Sequence, residues 1–379
     1  MNRLIGPALA AVLLIGVGAA GWHSYQQRSG NEAARLEAAK TVTVRGLIGS
    51  EKAAFFADPR AIAIFQKHGM TVQVDKAGSR AIAQRPDLKS FDFAHTSGAP
   101  AALSIQQSTK AQQVYTPFFT PMVIASWQAL IPLLEREGLV KQESGSYYLM
   151  DMPRLLRMMD QGVRWKDLKG NDVYPSSKSL LVSSTDVRQS NSGAMYLALA
   201  SYVTNDNNVV QSEADLQKVL PLMTRIFLKQ GFQEGSSAGP FDDYLAMGMG
   251  KAPLVMIYES QFLEYQAKRS PSTQSSAQAA ADPRQQMVLL YPKPTLFSKH
   301  VLVALTPAGA KLGALLESDP ELQALALDYG YRTSNQGAFA QRVQAQKLSV
   351  PLQLVDVVDP PSHEVLERMI VEIEKKYAQ

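Results

Sequence analysis

The chain has 379 residues, 46% of them apolar, enough for one large domain or two ordinary ones with a sizeable core. Its 38 basic and 34 acidic residues leave a net charge of +4, and no Lys/Arg block is interleaved with aromatics, which argues against a nucleic-acid groove. There is no cysteine, so disulfides, thiolate catalysis, Cys-ligated zinc and a lipid-modified N-terminal cysteine are excluded.

Arg3 precedes an apolar stretch from Leu4 to Gly21, followed by Trp22, His23 and Tyr25. Residues 1–30 therefore read as either a signal peptide or a membrane anchor. Gly18 and Ala20 satisfy a small-x-small cleavage site; equally, ~20 apolar residues span a bilayer and aromatics favour its edges. Both alternatives place the folded body outside the cytoplasm, in the periplasm if the host has a Gram-negative envelope. If uncleaved, residues 4–21 hold it at the inner membrane. Residues 31–40, alanine-rich and charged, read as a linker.

Thr41–Gly46 reads as a first strand, and Leu47–Lys52 as a turn into a helix with Ser50 as its N-cap. Pro59 is expected to split that helix, and His68–Gly69 to end it. Met70–Asp75 is a second strand, followed by Ala77–Arg80 and a short helix. Phe91–Ala94 is a third, closed by His95–Pro100. This strand-helix rhythm predicts an α/β sheet, whose ligands sit past the carboxyl ends of the strands. Pro117 and Pro121 indicate an extended crossing segment over Val114–Ser126. Helices are expected over Ala129–Glu137 and Met152–Met159, a strand over Leu180–Ser184, and a helix from Gly193 to Tyr202. Ser212 and Asp215 predict a capped long helix ending at Gln230–Gly231. Pro253–Glu259 reads as a buried strand. Residues 268–286, rich in Ser, Ala, Gln and Pro, read as a mobile loop. Met287–Pro292 is a second crossing strand, Lys299–Leu305 a further strand, and Thr306–Pro307 a strong helix start. A polar surface helix, Ser362–Tyr377, closes the chain.

The strongest local signal is Ser190-Asn191-Ser192-Gly193, a hydroxyl- and glycine-rich junction opening an apolar helix. Such a junction holds an anion or polar ligand on hydroxyls and first-turn N–H groups, although helix capping alone also accounts for it. Ser50, Ser79, Thr96 and Ser97 fall at the ends of the first three strands and carry the same two readings. Tyr258 and Glu259 end an apolar strand, where they line a cleft or serve as a core aromatic and an interlobe salt bridge. Arg45, Arg80 and Arg188 are either oxyanion forks or surface charges, the second being favoured.

These pieces, with Leu47–Ser50, Gly78-Ser79, Trp165–Leu168 and the Leu290–His300 return, resemble the bilobed extracellular solute-binding proteins with two crossing strands. The likeness covers residues 41–379 as an overall pattern. The resemblance implies a two-lobed, periplasmic-binding-protein-like α/β fold of type II. It implies a first lobe of residues 41–120 and 290–379 and a second of residues 121–289. It also implies a ligand in the cleft and hinged closure upon it, without naming that ligand; the hydroxyl-rich junctions make a small oxyanion the leading expectation. By position, Ser50, Ser79, Ser190, Asn191, Ser192 and Gly193 would take the place of the groups that hold the ligand in that family's oxyanion binders; with Thr96, Ser97, Tyr258 and Glu259 from the residue reading above, they form the expected binding set. No cofactor or metal is expected: the five histidines lack ligand spacing, and Asp242, Asp243, Met247 and Met249 suit helix and packing roles. An inner-membrane protein is a further candidate partner. Enzyme chemistry is disfavoured by the absence of G-x-S-x-G, S-x-x-K, G-x-G-x-x-G and P-loop patterns. The alternative from a different class is an anchored envelope scaffold with a degenerate cleft.

Overall fold

The computed structural model describes residues 41–143, 147–231, 233–236, 239–268, 284 and 286–377. The N-terminal apolar segment and linker, and nearly all of the loop expected at 268–286, lie outside these residues. Among the described residues no helix is long and apolar enough to cross a membrane.

The first strand, β1 (Val42–Ile48), pairs in parallel with β2 (Met70–Lys76) and β3 (Phe93–Thr96). Between β1 and β2 run α1 (Ala53–Ala57) and α2 (Pro59–Lys67). The break falls at Pro59 as expected, because Asp58 caps α2 by accepting from the Arg60 amide. A single turn of helix, α3 (Ser79–Ala83), follows β2, and α4 (Ala99–Thr109) follows β3.

The predicted crossing segment is one strand, β4 (Gln113–Trp127). Its first half pairs with β9 (Thr295–Ala304), with a register shift between Tyr115 and Phe118. Pro117 sits in that irregularity, where its missing N–H breaks no ladder bond. The second half pairs with β7 (Val255–Tyr258) and β8 (Met287–Lys293). With the hairpin β5 (Val140–Glu143) and β6 (Tyr147–Asp151), the sheet order is β2-β1-β3-β9-β4-β8-β6-β5. Thus β4 and the β8–β9 pair run from one lobe to the other. The hairpin was not legible in the sequence.

The second lobe carries α5 (Ile131–Arg136), α6 (Met152–Asp160), α7 (Asn191–Thr204), α8 (Glu213–Lys229), α9 (Gly239–Met247) and α10 (Glu259–Lys268). The Ser212–Asp215 capping box forms as predicted, with each side chain accepting from the other residue's amide. Leu180–Ser184 is not a strand: Ser183 makes an isolated bridge to Val255, and the Ser184 amide is taken by the Gln230 side chain. Glu259 begins α10 instead of ending β7. Trp165 is buried and packs edge-on against Tyr174.

After β9 come α11 (Pro307–Ser318), α12 (Pro320–Asp328), α13 (Gln336–Ala345), the short β10 (Val357–Val358) and α14 (His363–Tyr377). The last helix packs against elements on both sides of the seam. Its stripe Leu366, Met369, Ile370 and Ile373 is buried in the second lobe's core with Leu216, Val219 and Met223 of α8. Spacings of three and four residues put those side chains on one face. The helix also packs on α4 of the first lobe, so it straddles the seam.

Candidate functional site

The carboxyl ends of β1, β2 and β3 deliver Ser50, Ser79 and Ser97 to the seam, as parallel pairing dictates. The second lobe presents the start of α7 and the end of β7. Asn191 is the principal bridge between them. Its side-chain amide donates to the Ser97 carbonyl at 2.7 Å and reaches the hydroxyls of Tyr258 and Ser298 at 3.0 Å each. Two amide protons therefore serve three acceptors. Gly98 makes this approach possible, because a Cβ there would lie 1.9 Å from Asn191 Oδ1.

The expected residues divide into three groups. Ser79, Ser97, Asn191 and Tyr258 meet at the seam: Ser79 Oγ accepts from the Ser97 amide at 3.0 Å, alongside the Asn191 contacts. Ser50 also lies there, its hydroxyl accepting from Ser236 of the other lobe at 3.0 Å. Ser190, Ser192 and Thr185 form a hydroxyl chain with spacings of 3.0 and 2.7 Å, and the Ser190 side chain does not cap α7. Gly193 is a packing position, since a Cβ would meet the Thr185 carbonyl at 2.7 Å. Thr96 and Glu259 are occupied elsewhere. Thr96 donates to the Gly98 carbonyl at 3.0 Å. Glu259 is fully buried, accepting from Arg332 at 2.7 and 2.8 Å and from the Tyr291 hydroxyl at 2.6 Å. Its carboxylate is thus paired with Arg332. Arg332 also bridges β4 through its backbone pairing with Phe119, which ties this pair to the crossing strand.

A charged cluster lies behind the hydroxyls. Lys52 is completely buried and donates to Glu51, to Ser97 Oγ at 2.9 Å and towards His300 Nδ1 at 3.2 Å. Ser97 also donates to Glu51. Burial works to raise the Glu51 carboxyl, but the charge of Lys52 and the bonds from Lys52 and Ser97 prevail and hold it below its ordinary value. Burial pulls the Lys52 ammonium down, with Glu51 offsetting this in part. His95 and His300 are both fully buried, and neither ring nitrogen of His95 makes a well-formed hydrogen bond. Burial, reinforced by the nearby Lys52 charge, depresses both imidazoles far below their ordinary value. None of these four was in the expected binding set. Charged residues normally face water, and nothing local marks Glu51-Lys52 as the pair that does not.

The arginines are committed as well. Arg80 donates to Glu367 at 2.9 and 3.0 Å and to the Arg188 carbonyl at 2.8 Å, joining α3, α14 and the loop before α7. Arg188 pairs with Asp186, and Arg45 lies over the Phe91 ring. Beside Asn191 is a chamber of about 170 Å³, walled by α3, α4, the start of α7 and α14. Among the described residues no cluster of three or more His, Asp or Glu side chains is arranged to hold a metal.

No family model and no curated protein matches the sequence. Solved structures do resemble it. AfuA from Actinobacillus pleuropneumoniae, a periplasmic binding protein with fructose-6-phosphate bound, aligns at 12% identity and a TM-score of 0.54, covering 87% of this chain and 97% of its own. Iron-bound HitA from Pseudomonas aeruginosa aligns at 12% identity and 0.53, covering 89% and 100%. The apo ferric ion-binding protein A of Pasteurella haemolytica aligns at 11% and 0.51, covering 88% and 98%. The chain has the bilobed α/β fold of the type II periplasmic binding proteins, with two crossing segments.

Proposed function

We propose that this protein is an extracytoplasmic solute-binding protein that closes its lobes over a small polar solute at the seam. The observation that carries the reading is the convergence of Ser79 and Ser97 from one lobe with Ser190, Asn191 and Tyr258 from the other. Residues separated widely in sequence meet there through side chains able to re-pair with a ligand. Binding proteins of this fold include the iron-bound and sugar-phosphate-bound examples above, so the fold supports binding over catalysis without naming the solute. An oxyanion belongs to the class that such hydroxyls serve. Closure is a hinge motion about β4 and β8–β9, stabilised by whatever ligand prefers the closed state. In this reading the second lobe includes α14. Delivery to a membrane transporter, sensing and resistance are all served by the same cycle.

The second reading is an envelope scaffold whose cleft has degenerated. It is favoured by Asn191, whose side chain already satisfies both lobes. A thermal-shift panel of phosphate, sulfate, molybdate, carboxylates, amino acids and sugars separates the two readings. A dose-dependent rise with one class supports binding, because a ligand that binds only the native state stabilises it. A flat response to every class at millimolar concentration favours the scaffold.

A further inference from the structure

The chamber beside Asn191 has a composition that narrows the solute. Its polar wall includes Arg80 and Glu367, joined by hydrogen bonds, together with Gln84, Ser190, Asn191 and His363; its apolar wall includes Met195, Leu366 and Ile370. Arg80 and Glu367 arrive from opposite ends of the sequence, on α3 and α14. Each is only partly exposed, with side-chain accessibility of 15% and 27%.

Charge complementarity then discriminates among ligands. Lys52, Arg80 and Arg188 are each paired with a carboxylate, namely Glu51, Glu367 and Asp186. A bare oxyanion taking Arg80 displaces Glu367 and leaves that carboxylate half-buried without its partner, which is costly. A zwitterion avoids this, since its anionic end replaces Glu367 at Arg80 while its cationic end replaces Arg80 at Glu367. The apolar wall asks for a hydrocarbon body between those ends. The chamber's volume of about 170 Å³ is comparable to a cavity of roughly 150 Å³ that holds benzene, so it has room for a small solute.

Resting on the solute-binding reading above, we propose that this chamber is the solute site. Its solute is a small zwitterion with an apolar body, of the size and chemistry of an aliphatic α-amino acid, clamped between Arg80 and Glu367. Because Glu367 belongs to α14, the C-terminal helix is part of the binding wall.

The test uses the purified full-length chain, with leucine and valine as probes in calorimetry and thermal shift. Isovalerate lacks the ammonium, isoamylamine lacks the carboxylate, and sulfate and phosphate represent oxyanions. The zwitterions should bind at least about tenfold more tightly than either single-ended analogue, since each loses a charge-assisted pair. Glu367→Gln should weaken leucine by about tenfold and tighten isovalerate, whose carboxylate no longer has to displace Glu367 from Arg80, an opposite response that a merely structural role would not give. Ala83→Phe, at the half-buried rim, should block all probes without lowering the ligand-free Tm. Binding of sulfate or phosphate alone, undiminished by Ala83→Phe, would overturn the zwitterion chamber and leave solute binding standing. Silence across these probes and the wider panel would overturn both.

Discussion

Acidification from pH 7.5 to 5.0 should destabilise this protein through two residues, His95 and His300. Both side chains are fully buried, among Phe56, Phe118, Tyr258 and Tyr331, with the Lys52 ammonium and Glu51 carboxylate alongside. Both are held neutral in the fold, with pKa values well below the ordinary 6.5 that they regain on unfolding. Between the folded and unfolded values the unfolded chain binds more protons, so stability rises with pH. Their contribution is complete above the unfolded pKa and is lost as pH falls below it. The slope is about 1.4 kcal/mol per pH unit for each histidine. At pH 5.0 this slope caps their combined loss at about 4 kcal/mol, against a typical total of 5–15 kcal/mol. Glu51 and Asp58, whose pKa values are lowered (Asp58 to about 2), lose their contributions only at lower pH, below their unfolded values near 4. The assay is urea denaturation at half-unit pH steps, followed by fluorescence of the buried Trp127 and Trp165. His95→Phe, beside two phenylalanines, should halve the slope. A wild-type profile flat between pH 7.5 and 5.5, or a slope unchanged in His95→Phe, would refute the reasoning.

Glu259→Ala leaves the Arg332 guanidinium buried without its partner and should cost about 3–5 kcal/mol in urea denaturation. Lys52→Met strands the Glu51 carboxylate and should cost a similar amount; adding Glu51→Gln should recover most of it, which a double-mutant cycle measures. Gly193→Ala places a Cβ 2.7 Å from the Thr185 carbonyl, and its overpacking should lower stability by about 1–3 kcal/mol without changing the fold by circular dichroism. Gly98→Val should push Asn191 aside and open the seam. Small-angle scattering should then show a larger radius of gyration, and an unchanged radius would remove Asn191 from its bridging role.

The fold was legible where local rules act alone. Alternating apolar residues mark β1 and β2, Pro59 interrupts α1–α2, and Ser212 with Asp215 starts α8. The two prolines of β4 correctly indicated an extended crossing segment. Leu180–Ser184 misled because a short apolar run is strand-like wherever it is buried. Here its polar backbone groups find partners in Gln230 and Leu254 instead of a ladder.

The sequence by itself determined the strand-helix alternation, and therefore that Ser50, Ser79 and Ser97 arrive at one edge, because side-chain periodicity and turn chemistry are local. Tertiary structure alone decided which of those hydroxyls face another lobe. Asn191 reaches Ser97 across 94 residues and Lys52 reaches His300 across 248, separations over which no spacing rule operates. It also decided that Glu51 and Lys52, which the sequence placed only in a turn leading into a helix, are buried. Their burial is tolerated only because each supplies what desolvation takes from the other. The placement of α14 follows the same logic: its polar residues suggested a surface helix, and only the presence of α8 beside it gives Leu366, Met369, Ile370 and Ile373 a surface to bury against.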